Sequence, residues 1–144
     1  MSNFSIVELT SENEQQFVEV LSELREGLIL EEFRDIVARA RENRENYRFV
    51  GVELDGEIVG VTGYRVEHNL KNGGMLFFVE DLVTRSSFRS QGAGKFLLSY
   101  VEDEARRYGS RTIELNSGTW RKDAHRFYLR ERYTIDEFRF RKIL

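Results

Sequence analysis

The sequence predicts an α/β (α+β) domain built on a mixed, mostly antiparallel sheet, on three observations. Asp55-Gly56 stands between two strand-like runs, a strong two-residue hairpin signal that makes those strands antiparallel. An apolar run, a long helical pattern and a second short run follow one another from Met75 to Asn116, and a strand-helix-strand unit pairs its strands in parallel. Helical and strand periodicities alternate along 144 residues, a length expected to make one domain with its own core.

Phe4, Ile6 and Leu9 suggest a short first strand. From Ser11 the period becomes helical: Ser11 and Glu14 read as a capping box, and Phe17, Val20, Leu21 and Leu24 form one face. Gly27 interrupts, and Leu30, Phe33, Ile36, Val37 and Ala40 give a second amphipathic helix that ends in the polar run RENREN. Tyr47 to Leu54 and Glu57 to Val66 are the hairpin strands. Asn69 to Gly74 is a loop or open turn. Met75 to Thr84 (MLFFVEDLVT) is the most apolar strand and the expected sheet centre. A helix is expected from Gly92 to Tyr108, with Phe96, Leu97, Tyr100, Val101 and Ala105 inward and Gly109 as its stop. Thr112 to Asn116 is a short strand and Arg121 to Glu131 a helix. Tyr133 to Ile143 alternates like a closing strand.

Composition excludes several chemistries. The chain has no cysteine, so disulfides, thiolate zinc sites and a cysteine nucleophile are absent. That usage fits the cytoplasm, the expected location. Two histidines are too few for a histidine-rich metal site, and no metal is expected. No apolar run approaches the ~18–20 residues of a membrane span, and the first ten residues lack the pattern of a signal peptide. Residues 1–81 carry 17 Asp+Glu against 8 Lys+Arg, whereas residues 82–144 carry 8 against 14. A basic second half favours an anionic ligand and an acidic first half a cationic one.

The hexapeptide Arg89 to Gly94 (RSQGAG) lies between the central strand and the long helix, where unpaired amides and the helix dipole favour an anion. A P-loop would need glycine at Arg89 and Ser or Thr at Phe96. A dinucleotide fingerprint would need glycine at Leu97. Both fail, which leaves R-x-x-G-x-G.

That turn, preceded by VEDLVT and followed by a helix, the strand TIELN and a helix carrying AHRFYLRERY, resembles the GCN5-related N-acetyltransferase (GNAT) superfamily. The resemblance covers residues 75–140 in detail and implies a central sheet of six to seven strands with about four helices on its faces. It implies that Arg89, Ser90, Gln91, Gly92, Ala93, Gly94 and Lys95 bind the pyrophosphate of acetyl-CoA. Leu82, Val83 and Thr84 would pair with the pantetheine arm as a strand would. Tyr128 is implied as the acid that protonates the departing thiolate: a phenol of pKa ~10 suits a thiol of pKa ~8.5. Glu80 is implied as the base, with Asp81 or a water relay as alternatives. Strand alternation puts Glu80 and Asp81 on opposite faces, with Leu82 and Thr84 on the Glu80 side. The family's later motif departs at Arg121, where asparagine is usual, and at Arg132, where glycine is usual. Asn116 is a substitute cofactor contact. His125 is assigned no catalytic role.

The resemblance thus implies direct transfer of an acetyl group to a primary amine of a small-molecule or peptide acceptor. The acidic first half suggests a cationic amine such as a polyamine, an aminoglycoside-like amine or a lysine-like group, with Glu26, Glu31 and Glu32 as candidate contacts. A homodimer is expected because dimers are common among such proteins, and neither nucleic acid nor membrane is an expected partner. The rival readings are a non-catalytic acyl-CoA-binding or sensor domain of the same fold and a nucleic-acid module using the later arginines. Overall acidity counts against the second.

Overall fold

The computed structural model describes residues 3–144. Five strands form one sheet in chain order: β1 (Ser5–Glu8), β2 (Tyr47–Leu54), β3 (Glu57–Asn69), β4 (Gly74–Thr84) and β5 (Ile113–Leu115). The first four are antiparallel neighbours, and β4 and β5 run parallel. The helices are α1 (Glu14–Leu21), α2 (Leu30–Glu42), α3 (Ala93–Arg107) and α4 (Lys122–Arg130). The mixed sheet is as the sequence predicts. Its hairpin turns at Asp55 (φ 51°) and Gly56 (φ 82°), the two left-handed residues of a type I′ turn, whose twist matches the strands it joins.

Two cores lie on opposite faces of the sheet. On one, α1 and α2 bring Phe17, Val18, Val20, Leu21 and Phe33 against Phe49, Val61 and Val83. On the other, Ala93, Leu97, Leu98, Val101 and Ala105 of α3 meet Val50, Val52, Tyr64, Phe77 and Val79. Strand alternation sorts β2 between them: Phe49 faces the first core, Val50 and Val52 the second. Met75 to Thr84, expected at the sheet centre, falls in the fourth of the five strands: β3 is the middle one, and β4 lies between β3 and the edge strand β5, with Phe77 fully buried.

Two expectations are corrected. Ser11 does not cap α1. Residues 11–13 form a turn in which Asn13 Oδ1 accepts the Thr10 amide (2.8 Å), and Asn13 stands at the N-cap position. Glu14 pairs with Arg34 of α2 instead of reaching back, so a cross-helix ion pair displaces the local box. The sheet has five strands among the described residues, not six or seven. The alternating segment after Tyr133 forms no strand: the Tyr133 amide bonds Tyr128 O (2.9 Å), and Ile135, Phe138, Phe140 and Ile143 are exposed. An alternating pattern becomes a strand only where another edge takes up its amides and carbonyls, and no described edge does.

Arg132 holds the left-handed conformation (φ 68°). A Cβ there costs ~1–2 kcal/mol, and glycine would lose part of that gain to chain entropy. Arg132→Gly should therefore stabilise the fold by about 0.5–1 kcal/mol and raise Tm by about 1–4 °C. A thermal melt in which Arg132→Gly lowers Tm would contradict this account of the turn.

Candidate active site

The β4–β5 ladder is short. Phe77, Phe78 and Val79 pair with Ile113, Glu114 and Leu115, and the pairing stops there. Beyond it β4 keeps β3 on one side, through Asp81–Gly63, Leu82–Thr62, Val83–Val61 and Thr84–Gly60, and has no ladder on the other. The Arg85 amide donates to Val59 O (2.8 Å), which fixes the phase: odd-numbered residues here bond β3, even-numbered ones point away. The amides and carbonyls of Leu82 and Thr84 thus line the open side, and those of Val83 are used inside the sheet.

The same ladder slips by one residue. Gly63 pairs with Asp81 but Tyr64 pairs with Val79, so Glu80 is the extra residue of a bulge. The bulge overturns the expected alternation. Glu80 and Asp81 both meet partners on the α1–α2 face, and Leu82 and Thr84 lie on the α3 face.

The two carboxylates are held differently. Asp81 is nearly enclosed, its side chain 8% exposed. Its Oδ1 accepts from Arg25 Nε (2.6 Å) and its Oδ2 from the Tyr47 hydroxyl (3.2 Å). Its backbone oxygen accepts the buried Thr62 hydroxyl at 2.8 Å. Gly63 gives this corner its room: a Cβ there would lie 2.6 Å from Phe49 Cε1. Glu80 is 27% exposed and meets Arg65 through Oε1 (2.5 Å). Both oxygens of Asp81 are thus engaged, against one of Glu80. Burial first, then the charges of Asp81 and Glu80, push the Tyr47 phenol well above the usual tyrosine range.

On the α3 face the chain leaves β4, makes a single 3₁₀ turn at Ser86–Phe88 and reaches the glycine turn. Ser90 (φ 65°) and Gly92 (φ 94°) are left-handed, and Gly92 caps α3 without any side-chain bond. The amides of Ala93, Gly94 and Lys95 are therefore first-turn donors with no side-chain cap. Arg89, Ser90, Gln91, Gly92 and Lys95 are exposed. Lys95 Nζ lies 4.0 Å from Glu131. A Cβ on Gly94 would be 3.5 Å from Thr84 Oγ1 and 3.6 Å from Phe127 Cζ, so the turn, the open end of β4 and α4 adjoin. The donor set, a run of free amides beside an exposed guanidinium, fits a phosphate-bearing group.

Tyr128 of α4 is 9% exposed and packs against Phe127 and Tyr133. Burial raises its phenol above the ordinary value, and the charge of Arg121 acts in the opposite direction. His125 Nε2 lies 2.8 Å from Gly118 O and ties α4 to the loop after β5, a structural contact. Asn116 is exposed just past β5, and the Ser117 hydroxyl beside it is buried without a partner. Among the described residues no cluster of acidic, histidine or cysteine side chains could hold a metal, and no helix is long and apolar enough to cross a membrane.

Sequence reasoning missed Arg25, Tyr47 and Arg65. Arg25 comes from the break between α1 and α2, where Glu26, Glu31 and Glu32 were the candidates. Those three are exposed, and the arginine reaches Asp81. Only the register of β2, β3 and β4 brings Tyr47 and Arg65 to this corner.

Residues 7–132 match the acetyltransferase (GNAT) family. The chain belongs to that family. It is 32% identical over 136 residues to an aminoalkylphosphonate N-acetyltransferase of Salmonella typhimurium, which covers 94% of this chain and 87% of the relative. It is 36% identical over 137 residues to YhdJ, an uncharacterized N-acetyltransferase of Bacillus subtilis, covering 94% and 95%. Among solved structures, an aminoglycoside N-acetyltransferase, AAC(6′)-Iy, in complex with CoA superposes with TM-score 0.81 at 17% identity, covering 99% of this chain and 96% of that one. As a GNAT fold, the sheet carries its helices on both faces and opens between β4 and β5.

Removing Arg121 should raise the Tyr128 pKa, since its positive charge favours the phenolate. The phenolate absorbance contributed by Tyr128, taken as wild type minus Tyr128→Phe, should move to higher pH in Arg121→Ala. A move to lower pH would show that Arg121 does not face this phenol.

Proposed function

We propose that the protein transfers the acetyl group of acetyl-CoA directly to the primary amine of a small-molecule acceptor that also carries an anionic group. The observation that carries the reading is the opening of the sheet after Val79: an unpaired strand edge on one side of which stand free helix amides, and on the other two carboxylates. Acetyl-CoA supplies an activated thioester. The uncapped amides of Ala93 to Lys95, with Arg89, suit its pyrophosphate, and the Leu82 and Thr84 backbone suits the amides of its arm.

The remaining roles fall to this chain's own groups. A lysine-like amine arrives protonated at neutral pH. Glu80 has an oxygen left beside its Arg65 contact, so it, or a water held there, takes that proton; Asp81 has none left and positions Arg25 and Tyr47. A backbone amide near Leu82 supports the carbonyl oxygen where charge develops. Tyr128, buried and with no hydrogen bond at its hydroxyl among the described residues, delivers its proton to the sulfur as the C–S bond breaks, and its phenolate takes back the second proton of the newly acetylated nitrogen. No covalent acyl-enzyme is required.

The acceptor class is supported by the aminoalkylphosphonate N-acetyltransferase relative and by the basic groups beside the carboxylates. Arg25 and Arg65 lie on the α1–α2 face and are partly exposed, so each can meet an anion while holding its carboxylate.

The test is thiol release from acetyl-CoA by the purified protein with amines added. An aminoalkylphosphonate should give at least about tenfold higher kcat/KM than the alkylamine lacking the phosphonate, the scale of one charged hydrogen bond. Tyr128→Phe should lower kcat by about 10²-fold or more with unchanged acetyl-CoA affinity. Equal rates for the two amines would remove the anionic acceptor. Full kcat in Tyr128→Phe would remove the acid, and acetyl-CoA binding with no amine-dependent thiol release would favour the non-catalytic reading.

A further inference from the structure

The connection between α2 and β2 runs beside the second half of β3, and the Val66 amide ties the two by donating to Asn46 O (3.2 Å). Between them lies a pocket of 410 Å³ lined by Arg44, Glu45, Asn46, Arg65, Val66 and Glu67. Small-molecule sites span about 300–1,000 Å³. Arg65 is the wall that the pocket shares with the candidate active site. Its Nε and Nη2 hold Glu80 Oε1 at 2.6 and 2.5 Å. Its Nη1 has only Glu67, at 3.4 Å. A guanidinium carries five N–H groups, so the Nη1–Nη2 edge keeps donors on the Glu67 side, where the pocket lies. Arg25 spends its Nε and Nη2 on Asp81 and the Glu80 backbone oxygen and lines no part of this pocket.

Arg44 is the second cation. Its side chain is exposed and has no hydrogen-bond or ion-pair partner among the described residues. Its backbone is left-handed (φ 56°), a conformation that a Cβ makes costly. A charged ligand gives this arginine a use that packing does not. The two acids leave room for one. Glu45 is drawn back towards Asn43 Nδ2 at the end of α2 (3.4 Å), and Glu67 meets Arg65 only at long range. Arg65 and Glu67 stand opposite Phe78 and Leu76 of β4, ahead of Glu80, whereas Leu82, Thr84 and the glycine turn follow it. A molecule in the pocket therefore reaches Glu80 from the end opposite to the turn suited to pyrophosphate.

We propose that this pocket is the subsite for the acceptor's anionic group, that the group is a phosphonate, and that Arg44 and the free edge of Arg65 hold it while the amine reaches Glu80. The inference rests on the acetyl transfer to an anionic amine proposed above, and it assigns the residues that select the acceptor. A phosphonate offers three oxygens to two guanidiniums: two engage the Arg65 edge side by side and the third is left for Arg44. A carboxylate has two, which Arg65 alone occupies. One guanidinium thus stands between the bound anion and the group that takes the amine's proton.

Thiol release with an aminoalkylphosphonate, the aminoalkylcarboxylate of equal chain length and the plain alkylamine tests the subsite. Arg44→Gln should cut the phosphonate-over-alkylamine ratio of kcat/KM by about tenfold, through KM rather than kcat, and Arg44→Lys should retain part of that ratio. Glu67→Gln removes a like charge from the pocket and should raise it. Arg44→Gly removes the guanidinium and relaxes the left-handed residue, so it should lose the same preference while raising Tm by about 1–4 °C. Calorimetry with CoA present reads the same loss as a Kd for the aminoalkylphosphonate, without any transfer. A phosphonate preference that survives Arg44→Gln and Arg44→Gly would overturn the subsite and leave the acetyl transfer standing. So would an equal preference for the carboxylate, or a loss accompanied by a lowered Tm in both variants. Phosphonate binding that depends on Arg44 without amine-dependent thiol release would keep the subsite and remove the transfer.

Discussion

Between Gly63 and Tyr64 the β3–β4 ladder gains one residue on the β4 side, and that residue is Glu80. The slip determines where nearly everything at the candidate site sits. Before it, Phe77 and Val79 bury themselves under α3. After it, Leu82 and Thr84 take the α3 face and Val83 joins the α1–α2 core. The extra residue bends β4 and increases its twist, and it falls at the point where pairing with β5 ends. One irregularity therefore places two neighbouring carboxylates on one face and leaves a strand edge open between the two faces.

The groups around that opening are fixed by packing rather than by flexible loops. Asp81 is locked by Arg25, Tyr47 and the Thr62 hydroxyl, which leaves Glu80 as the carboxylate with a free oxygen. On the far face, α3 is anchored by Leu97, Leu98 and Val101, all buried, so its uncapped first turn is held rigidly beside Thr84. Tyr128 is placed by the same economy of contacts: α4 rests on the turn through Phe127 and presents a phenol shaped by burial and by Arg121. A GNAT chain with arginine at 121 thus has a charge tuning its proposed acid where an asparagine would have offered only a hydrogen bond.

The features legible in the sequence are those written locally. Asp55-Gly56 names its own turn, Met75–Thr84 is apolar enough to be read as a strand with neighbours on both sides, and the glycine turn before α3 shows in six residues a set of donors that suits an anion. The bulge is not local. It is a relation between β3 and β4, and neither strand's alternation reveals it, so the face of Glu80 was misread. Arg25 was hidden for the same reason: its partner lies 56 positions away. The capping box at Ser11 failed because Glu14 had a stronger use in Arg34. The closing strand was legible as a pattern and absent as a structure, because a strand exists only where an edge takes up its amides and carbonyls, and residues 134–144 make no such pairing among the described residues.

The central claim is that the opening of the sheet holds the arm of CoA through the backbone of β4. Amide hydrogen exchange, residue by residue, tests it most directly. In the free protein the Leu82 and Thr84 amides should exchange readily and the Val83 amide slowly. CoA should slow Leu82 and Thr84 and leave Val83 unchanged. Leu82 and Thr84 amides already protected without ligand, or unaffected by saturating CoA, would contradict the account.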